Sequence, residues 1–170
     1  DNVHVRRGAQ IGRRCIIGEK TYIAAGVVIG DFCKVNANVY LCAGVQLGDG
    51  VMVAAHTVFT NDAKPRATDP EVTGLLSSEP PATMPRTVVT RGASIGANCT
   101  IGPGVTLGAW CMVGMGSVVT GDVAAHTLVV GSPARPVGKV CRCGAVLARV
   151  APDGTMPRGP HLCECGLRVE

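Results

Sequence analysis

The chain is nearly without aromatic side chains. Phe, Tyr and Trp make up 3% of its 170 residues, although 46% of the residues are hydrophobic. A compact interior of this size normally contains several large aromatic rings. A conventional globular core is therefore excluded, and the interior must be thin and built from Val, Ile, Leu, Ala and Cys.

Charge and long apolar runs are also scarce. Charged residues make up 16% of the chain, and the net charge of +4 is spread along it, which makes no case for a nucleic-acid partner. No apolar run reaches the roughly 18 residues that cross a bilayer, so we expect no membrane partner. The aliphatic content is too high for a disordered chain. Because the sequence begins at Asp1 without Met, an upstream segment could precede it.

What the chain has instead is a hexad period. A large aliphatic residue or Phe recurs at every sixth position from Val5 to Phe59, and again from Val89 to Val119. A smaller residue follows each of them by four positions. An amphipathic helix repeats every 3.6 residues, roughly, so a hexad does not fit a helix. Short strands joined by tight corners do fit, and stacking them gives continuous side-chain ladders around a narrow interior. The period therefore predicts an all-β coil.

The repeats resemble a known family. The hexads Ile95–Thr100 and Ile101–Thr106 are similar to the hexapeptide repeat of left-handed parallel β-helix acyltransferases. The resemblance covers residues 3–140. It implies a triangular, left-handed coil with three hexads per turn and a homotrimer with sites at the subunit interfaces. We expect two units, a β-helix over residues 1–138 and a cysteine-containing tail over 139–170.

Residues 61–87 interrupt the period and contain five of the eleven prolines. Loops of this length are uncommon and are usually functional. The stretch Phe59–Ala67, followed by Pro85–Asn98, resembles the N-acetyltransferases of nucleotide-linked 3-amino sugars. The resemblance implies transfer of an acetyl group from acetyl-CoA to the amine of a UDP- or dTDP-linked sugar. An O-acetyltransferase of the same fold and a non-catalytic binding protein are the alternatives. A zinc-dependent carbonic anhydrase of similar fold would need three His ligands at a spacing that this chain lacks.

The loop supplies the candidate acceptor residues. A neutral amine is already a competent nucleophile, whereas a hydroxyl needs a strong general base. The His that O-acetylating relatives commonly carry after the equivalent of Phe59 is absent, and the resemblance assigns Asn61 to the acceptor sugar. Asp62 either binds the sugar or caps a turn. Arg66 either contacts the diphosphate or is a solvent-exposed residue of the loop. His56 is either a base or a solvated side chain.

Acetyl-CoA is the implied co-substrate. With three hexads per turn, Ala97 and Met115 fall on the same edge, where the family places the pantetheine arm of CoA between subunits. Arg135 follows the last hexads and either contacts a phosphate of CoA or is an exposed Arg beside a turn. Since CoA and sugar nucleotides are cytosolic substrates, we expect a cytoplasmic protein.

Nine cysteines fall into two groups. Five lie within the hexads, four of them at the small inward position, and we interpret them as packing residues. The other four form two matched Cys-x-Cys-Gly turns, and these are Cys141, Cys143, Cys163 and Cys165. Four thiolates can close a tetrahedral structural zinc site, which resembles a small zinc ribbon. Two disulfides and redox-active thiols are the alternatives, and His161 could replace one ligand. A cytosolic location would disfavour disulfides.

Overall fold

A computed structural model describes residues 1–81 and 83–169 of the chain. These residues form strands, corners and loops and contain no helix. The strands are β1 (His4–Val5), β2 (Gln10–Ile11), β3 (Ile16–Ile17), β4 (Tyr22–Ile23), β5 (Val28–Ile29), β6 (Lys34–Val35), β7 (Tyr40–Leu41), β8 (Val45–Leu47), β9 (Met52–Val53), β10 (Val58–Phe59), β11 (Thr87–Val89), β12 (Ser94–Ile95), β13 (Thr100–Ile101), β14 (Thr106–Leu107), β15 (Met112–Val113), β16 (Val118–Val119), β17 (Thr127–Gly131), β18 (Ala134–Val140), β19 (Val146–Arg149), β20 (His161–Leu162) and β21 (Arg168–Val169).

The first seventeen strands form three parallel sheets. Sheet A contains β1, β4, β7, β10, β13 and β16, sheet B contains β2, β5, β8, β11 and β14, and sheet C contains β3, β6, β9, β12, β15 and β17. Neighbours in a sheet are one turn of three hexads apart, as in the pairing of Tyr22 with Tyr40. The chain passes from A to B to C and then rises one level. This is the parallel β-helix that the period predicted.

The three corners of the coil form three edges that run along its axis. We call the corners between sheets C and A the first edge; it contains Asn38, His56, Asn98 and Gly116. The corners between A and B form the second edge, which contains Gly44 and Gly104. The corners between B and C form the third edge, which contains Phe32, Gly92, Trp110 and His126. All of these corner residues adopt positive φ, which turns the chain from one sheet to the next.

The interior is as slender as the composition indicated. Inward residues such as Ile23, Val35 and Leu41 are fully buried. Among the described residues Phe59 is the one aromatic residue in the interior, since the others lie at corners or on the outer face, where the Tyr22 and Tyr40 rings stack at 5.1 Å. The inward cysteines are buried from Cys33 onward, as predicted, and burial raises the pKa of the Cys111 thiol to about 12. These thiols are therefore packing residues.

The long loop lies between β10 and β11. The strands after the loop continue the hexad pattern and the strand pairing of the coil. Val58 pairs with Thr100 across the loop, a separation of seven hexads in place of three, so the loop adds four whole hexads. The loop has some internal structure, because a tight hairpin is closed by a bridge between Thr68 and Leu75. Asp69 accepts hydrogen bonds from both the amide and the hydroxyl of Thr73 at 2.7 Å.

The tail continues sheet C. Strands β18 and β19 add to β17 in antiparallel fashion, and β20 pairs with β21 as a separate hairpin. The predicted division at residue 138 falls inside β18, so the tail grows directly out of the last sheet of the coil. Across residues 1–81 and 83–169 there is no helix with the length and apolar character that crossing a bilayer requires.

Candidate functional site

A cavity of about 640 Å³ lies within the long loop, which leaves the coil and returns to it at the second edge. Asn61, Asp62 and Arg66 all line it, so the structure brings the three predicted acceptor residues together. Asn61 follows β10 closely and occupies the corner that Ala43 occupies one turn earlier. The regular coil therefore ends at the floor of this cavity.

Two contacts hold the Asn61 side chain. Its Nδ2 donates to the carbonyl of Ala43 at 3.4 Å and contacts Sδ of Met84 at 3.1 Å. Both contacts use Nδ2, which leaves Oδ1 to accept a hydrogen bond from a ligand. Asn61 is half-buried, and the coil beneath it is held by backbone hydrogen bonds, so the amide is presented in a fixed position.

Asp62 and Arg66 each make a hydrogen bond to the backbone of a nearby loop residue. Asp62 Oδ1 accepts a hydrogen bond from the amide of Lys64 at 2.7 Å, which is the turn-capping geometry that the sequence left open. Arg66 donates to the carbonyl of Pro65 at 2.7 Å and is exposed. Its guanidinium therefore lies at the rim of the cavity, and the remaining N–H groups of this guanidinium can donate to an anion.

The returning arm of the loop packs on two glycines of the second edge. A Cβ at Gly44 would lie 2.7 Å from Cε of Met84, and one at Gly104 would lie 2.9 Å from Cβ of Pro85. Both glycines have positive φ. The second edge thus leaves room for Met84 and Pro85, and Met84 in turn contacts Asn61.

The sequence did not single out Met84, Leu75 or Leu76 as cavity residues. The sequence signal that could have found them is the presence of apolar residues in an otherwise polar loop, at positions that do not belong to the hexad period. Leu75 lines the cavity and is 85% exposed.

The other predicted residues do not lie at this cavity. His56 is an exposed residue of the first edge with a φ of 60°, and its amide donates to the carbonyl of Ala37 at 3.1 Å. Ala97 and Met115 lie on successive turns of the same edge, as the three-hexad turn predicted, and Met115 is 82% exposed. The extended chain from His56 to Asn61 spans about 16 Å. Within one chain the two groups are not brought together.

Arg135 lies at a second cavity, of about 540 Å³, at the end of the coil. It is exposed and donates to the carbonyl of Ala134 at 3.0 Å. Lys139 lines the same cavity and was not predicted. The available signal was a second positive charge that follows Arg135 closely in the sequence, since paired cations are typical of sites for phosphate groups.

The four tail cysteines form one cluster. The sulfur atoms of Cys141, Cys143, Cys163 and Cys165 all lie within 4.8 Å of one another. Cys141 and Cys165 are 3.6 Å apart, and Cys143 and Cys163 are 3.5 Å apart. These separations are far longer than the roughly 2.05 Å of a disulfide. They are close to the sulfur–sulfur distance of roughly 3.8 Å that a tetrahedral zinc ion imposes.

Two matching turns build the cluster. Cys141 donates its amide to the carbonyl of Ala145, and Cys163 donates its amide to that of Leu167, at 2.9 and 2.8 Å. The backbone amide of Cys143 donates to the sulfur of Cys141 and lowers the pKa of that thiol to about 7. His161 lies outside the cluster, and its Nε2 is buried without a hydrogen-bond partner among the described residues. The donor set is thus four sulfurs.

The repeats of the coil match two known sequence profiles. The profile of the bacterial transferase hexapeptide (six repeats) matches residues 26–61 and 86–121, and the hexapeptide repeat of succinyl-transferase matches residues 8–43. The chain belongs to the hexapeptide-repeat transferase family. The first match stops and resumes at the long loop, so this loop is an addition to the family's repeat.

One curated relative is named after the sugar nucleotide that it acetylates. Over 90 residues the chain is 40% identical to the dTDP-3-amino-3,6-dideoxy-α-D-galactopyranose 3-N-acetyltransferase of Aneurinibacillus thermoaerophilus. The matched region covers 53% of this hexapeptide-repeat chain and 43% of the relative. The chain therefore spans less than half of the curated relative that it matches.

Solved structures share the fold. A hexapeptide-repeat acetyltransferase of Vibrio cholerae O1 biovar eltor, complexed with acetyl coenzyme A, is 27% identical with a TM-score of 0.62, and the match covers 78% of this chain and 70% of that one. AntD, an N-acyltransferase from Bacillus cereus in complex with dTDP and 3-hydroxybutyryl-CoA, is 20% identical with a TM-score of 0.65, covering 84% and 82%. The likeness to AntD is one of fold.

Proposed function

We propose that this hexapeptide-repeat transferase moves the acetyl group of acetyl-CoA to the amine of a nucleotide-linked 3-amino sugar. The observation that carries the proposal is the cavity at the second edge, where Asn61 forms the floor and the charged residues Asp62, Lys64 and Arg66 stand around it. The name of the Aneurinibacillus relative supports the substrate class. The Vibrio structure supports acetyl-CoA as the donor.

The geometry suits an amine acceptor that is held in place. Asn61 Oδ1 would accept a hydrogen bond from one N–H of the neutral amine, which directs the nitrogen lone pair at the thioester carbon. The C–N bond then forms, the C–S bond breaks, and the proton lost from nitrogen goes to the thiolate of CoA. No strong base is required, because the amine is already nucleophilic. Arg66 at the rim would meet the diphosphate.

The donor half of the site lies on the first edge, with Ala97 and Met115 beside the pantetheine arm and His56 next to them. Because these residues are one side of the triangle away from Asn61, a single chain does not complete the site. We propose a homotrimer in which the first edge of one subunit faces the loop of the next. In that arrangement the amine on which His56 would act as a base is bound by the neighbouring subunit.

The tail cluster fits a structural zinc ion. Four sulfurs at near-tetrahedral separations match the donor set of structural zinc sites. When bound, the ion would tie the two Cys-x-Cys-Gly turns together and hold a tail that has only a small apolar cluster, Cys141, Cys163, Val169 and Leu147, of its own. Because reduced thiols and CoA belong to the cytosol, we propose a cytoplasmic location.

The test is release of free CoA thiol with dTDP- and UDP-linked 3-amino sugars. We expect turnover with one of them, and we expect Asn61→Ala to lower kcat/KM at least 100-fold with an unchanged melting temperature. Release of CoA with 3-hydroxy sugars instead would indicate an O-acetyltransferase. Absence of turnover with all of these acceptors would overturn the proposal.

A further inference from the structure

The first cysteine turn, residues 141–144, is attached to the coil. It follows β18 directly and supplies two of the four clustered sulfurs. A Cβ at Gly144 would lie 3.8 Å from Cε of Met112 in sheet C, so the turn passes within contact distance of that side chain. The amide of Val140, just before the turn, donates to the carbonyl of His126 at 2.9 Å, and the His126 ring contacts the Val140 carbonyl through Nδ1 at 3.0 Å. The turn is therefore attached both to sheet C and to the third edge.

Trp110, the one tryptophan of the chain, lies where this turn meets the third edge. Its half-buried indole covers Gly92, one turn earlier on the same edge, where a Cβ would collide with three carbons of the ring. The guanidinium of Arg142 lies over the same ring, 5.7 Å from its centre. This distance is within the range of a cation–π interaction. The indole therefore contacts the coil through Gly92 and the tail through Arg142.

Arg142 lies between two members of the cysteine cluster. Its neighbours Cys141 and Cys143 each contribute a sulfur, so an ion bound to both would fix the backbone on either side of Arg142. The side chain of Arg142 is exposed, and the one ion pair among the described residues joins Arg13 to Asp31. No carboxylate there holds the guanidinium on the indole, so its position depends on the conformation of the turn.

The hairpin of β20 and β21, residues 161–169, depends on the same cluster. These two strands pair only with each other among the described strands. Within residues 1–81 and 83–169, the hydrogen-bonding contacts that join the hairpin to the rest of the chain are the two sulfur–sulfur contacts of the cluster, at 3.5 and 3.6 Å. Its apolar contacts form the small cluster of Cys141, Cys163, Val169 and Leu147. A segment with so small a core usually needs a metal or a disulfide to stay folded.

The strength of this junction depends on what the four sulfurs bind. Four thiols offer one another only weak hydrogen bonds. A zinc ion replaces these with four bonds of about 2.3 Å each, and in small metal domains the free energy of metal binding is folding free energy. The hairpin contributes two of the four sulfurs and the first cysteine turn contributes the other two. Metal binding therefore acts on the contact between the hairpin and the turn, and through the turn on Arg142.

We propose that the cysteine cluster is a metal-dependent latch between the tail and the third edge of the coil. With the ion bound, the hairpin is held to the first cysteine turn and Arg142 is held on Trp110. Without the ion, the hairpin separates from the turn and Arg142 leaves the indole. The coil keeps its fold in both states, because its strands pair with one another from turn to turn. The latch rests on the structural metal proposed above and is independent of the acetyl-transfer reaction.

The fluorescence of Trp110 tests the latch, because the chain has no other tryptophan. We expect one zinc ion per chain by elemental analysis. Removal of zinc by a chelator should raise the quenching of Trp110 by acrylamide about twofold, since the indole loses the cover of Arg142. Zinc added back to the chelated protein should restore the original quenching.

Arg142→Ala separates the contact from the metal. This variant should retain one zinc ion, show the raised quenching even with zinc bound, and change no further on chelation. The matched control is Arg149→Ala, which removes an exposed Arg of β19 that does not lie over the ring, and it should respond to zinc as the unmodified protein does. Cys163→Ser with Cys165→Ser removes the ligands of the hairpin alone. It should lose zinc and match the chelated protein.

Hydrogen exchange shows where the protein changes. On removal of zinc, exchange should rise in residues 139–169 and stay slow in the paired strands of the coil. Unchanged quenching of Trp110 in protein that has lost its zinc would overturn the latch and leave the metal site standing. Exchange that rises equally through the coil would also overturn it, because the metal would then support the whole fold. A chain that binds no zinc would refute both the latch and the metal site, and release of CoA tests acetyl transfer separately in each case.

Discussion

At the scale of single residues, the candidate acceptor site depends on a glycine. Gly44 has a φ of 88° and no side chain, and Met84 fills the space above it and contacts Asn61. Gly8, Gly26 and Gly104 occupy equivalent corners of the second edge, also with positive φ, so glycine is usual at this edge. The loop adds a second requirement at Gly44, because Met84 fills the space that a Cβ would enter.

Gly44→Ala should therefore impair the acceptor site beyond its effect on stability. The matched control is Gly50→Ala, since Gly50 has a φ of 68° with no atom within 4 Å of its Cβ position. A positive φ costs a non-glycine residue roughly 1–2 kcal/mol, so chemical denaturation should show a similar loss in both variants. We expect only Gly44→Ala to raise KM for the sugar nucleotide, by at least fivefold. Equal KM values in the two variants would show that Met84 does not position the site.

At the scale of elements, the long loop is an insertion that the coil tolerates. It adds four whole hexads between Val58 and its partner Thr100, so β11 meets β8 in the register of an uninterrupted coil. The chain on either side is held by backbone hydrogen bonds to neighbouring turns, such as those from Thr60 to Ile101 and from Thr87 to Gly44. The coil therefore does not depend on the loop for its register.

Deletion of residues 63–86 should leave a folded coil. This removes the four added hexads and joins Asp62 to Thr87, which places Asp62 at the corner equivalent to Gly44, and Asp tolerates positive φ better than most residues. We expect the β spectrum to persist with a melting temperature within about 5 °C, since a shorter loop costs less closure entropy. Acetyl transfer should be lost. An unfolded deletion variant would show that the loop stabilises the coil.

Sequence reasoning succeeded for the parts of the chain that repeat. The inward ladder follows from a local pattern that every turn reinforces. The three-hexad turn, and with it the alignment of Ala97 with Met115, follows from the family resemblance of the hexads. The contact of Met84 with Asn61 could not be predicted, because the loop has no period and its path is set by tertiary packing. The cavity formed by Lys139 and Met156 was missed for the same reason, since it joins a strand and a loop that the hexads do not describe.

At the scale of the whole molecule, the predicted site residues fall on two different edges. Asn61 lies on the second edge and Ala97 on the first, so the predicted acceptor and donor residues of one chain face different directions. In a cyclic trimer the first edge of each subunit can meet the second edge of the next, and three equivalent sites result.

Mixed trimers provide the test. Asn61→Ala damages the acceptor half, and Ala97→Trp blocks the donor half, so each variant alone should be inactive. In trimers assembled from equal amounts of both, three quarters are mixed and each holds one intact site, so about a quarter of the wild-type activity should return. The unmixed variants, refolded in the same way, are the control. Failure to recover activity would place both halves of the site within a single chain.

The whole-hexad length of the long loop has an evolutionary consequence. An insertion that preserves phase leaves every later turn with the same neighbours, so no compensating substitution is needed in the coil. Lineages can therefore exchange this segment as a unit, and selection on the acceptor acts on it separately from selection on the scaffold. Diversification of substrate in such chains should be recorded mainly in the lengths and sequences of insertions at this one edge.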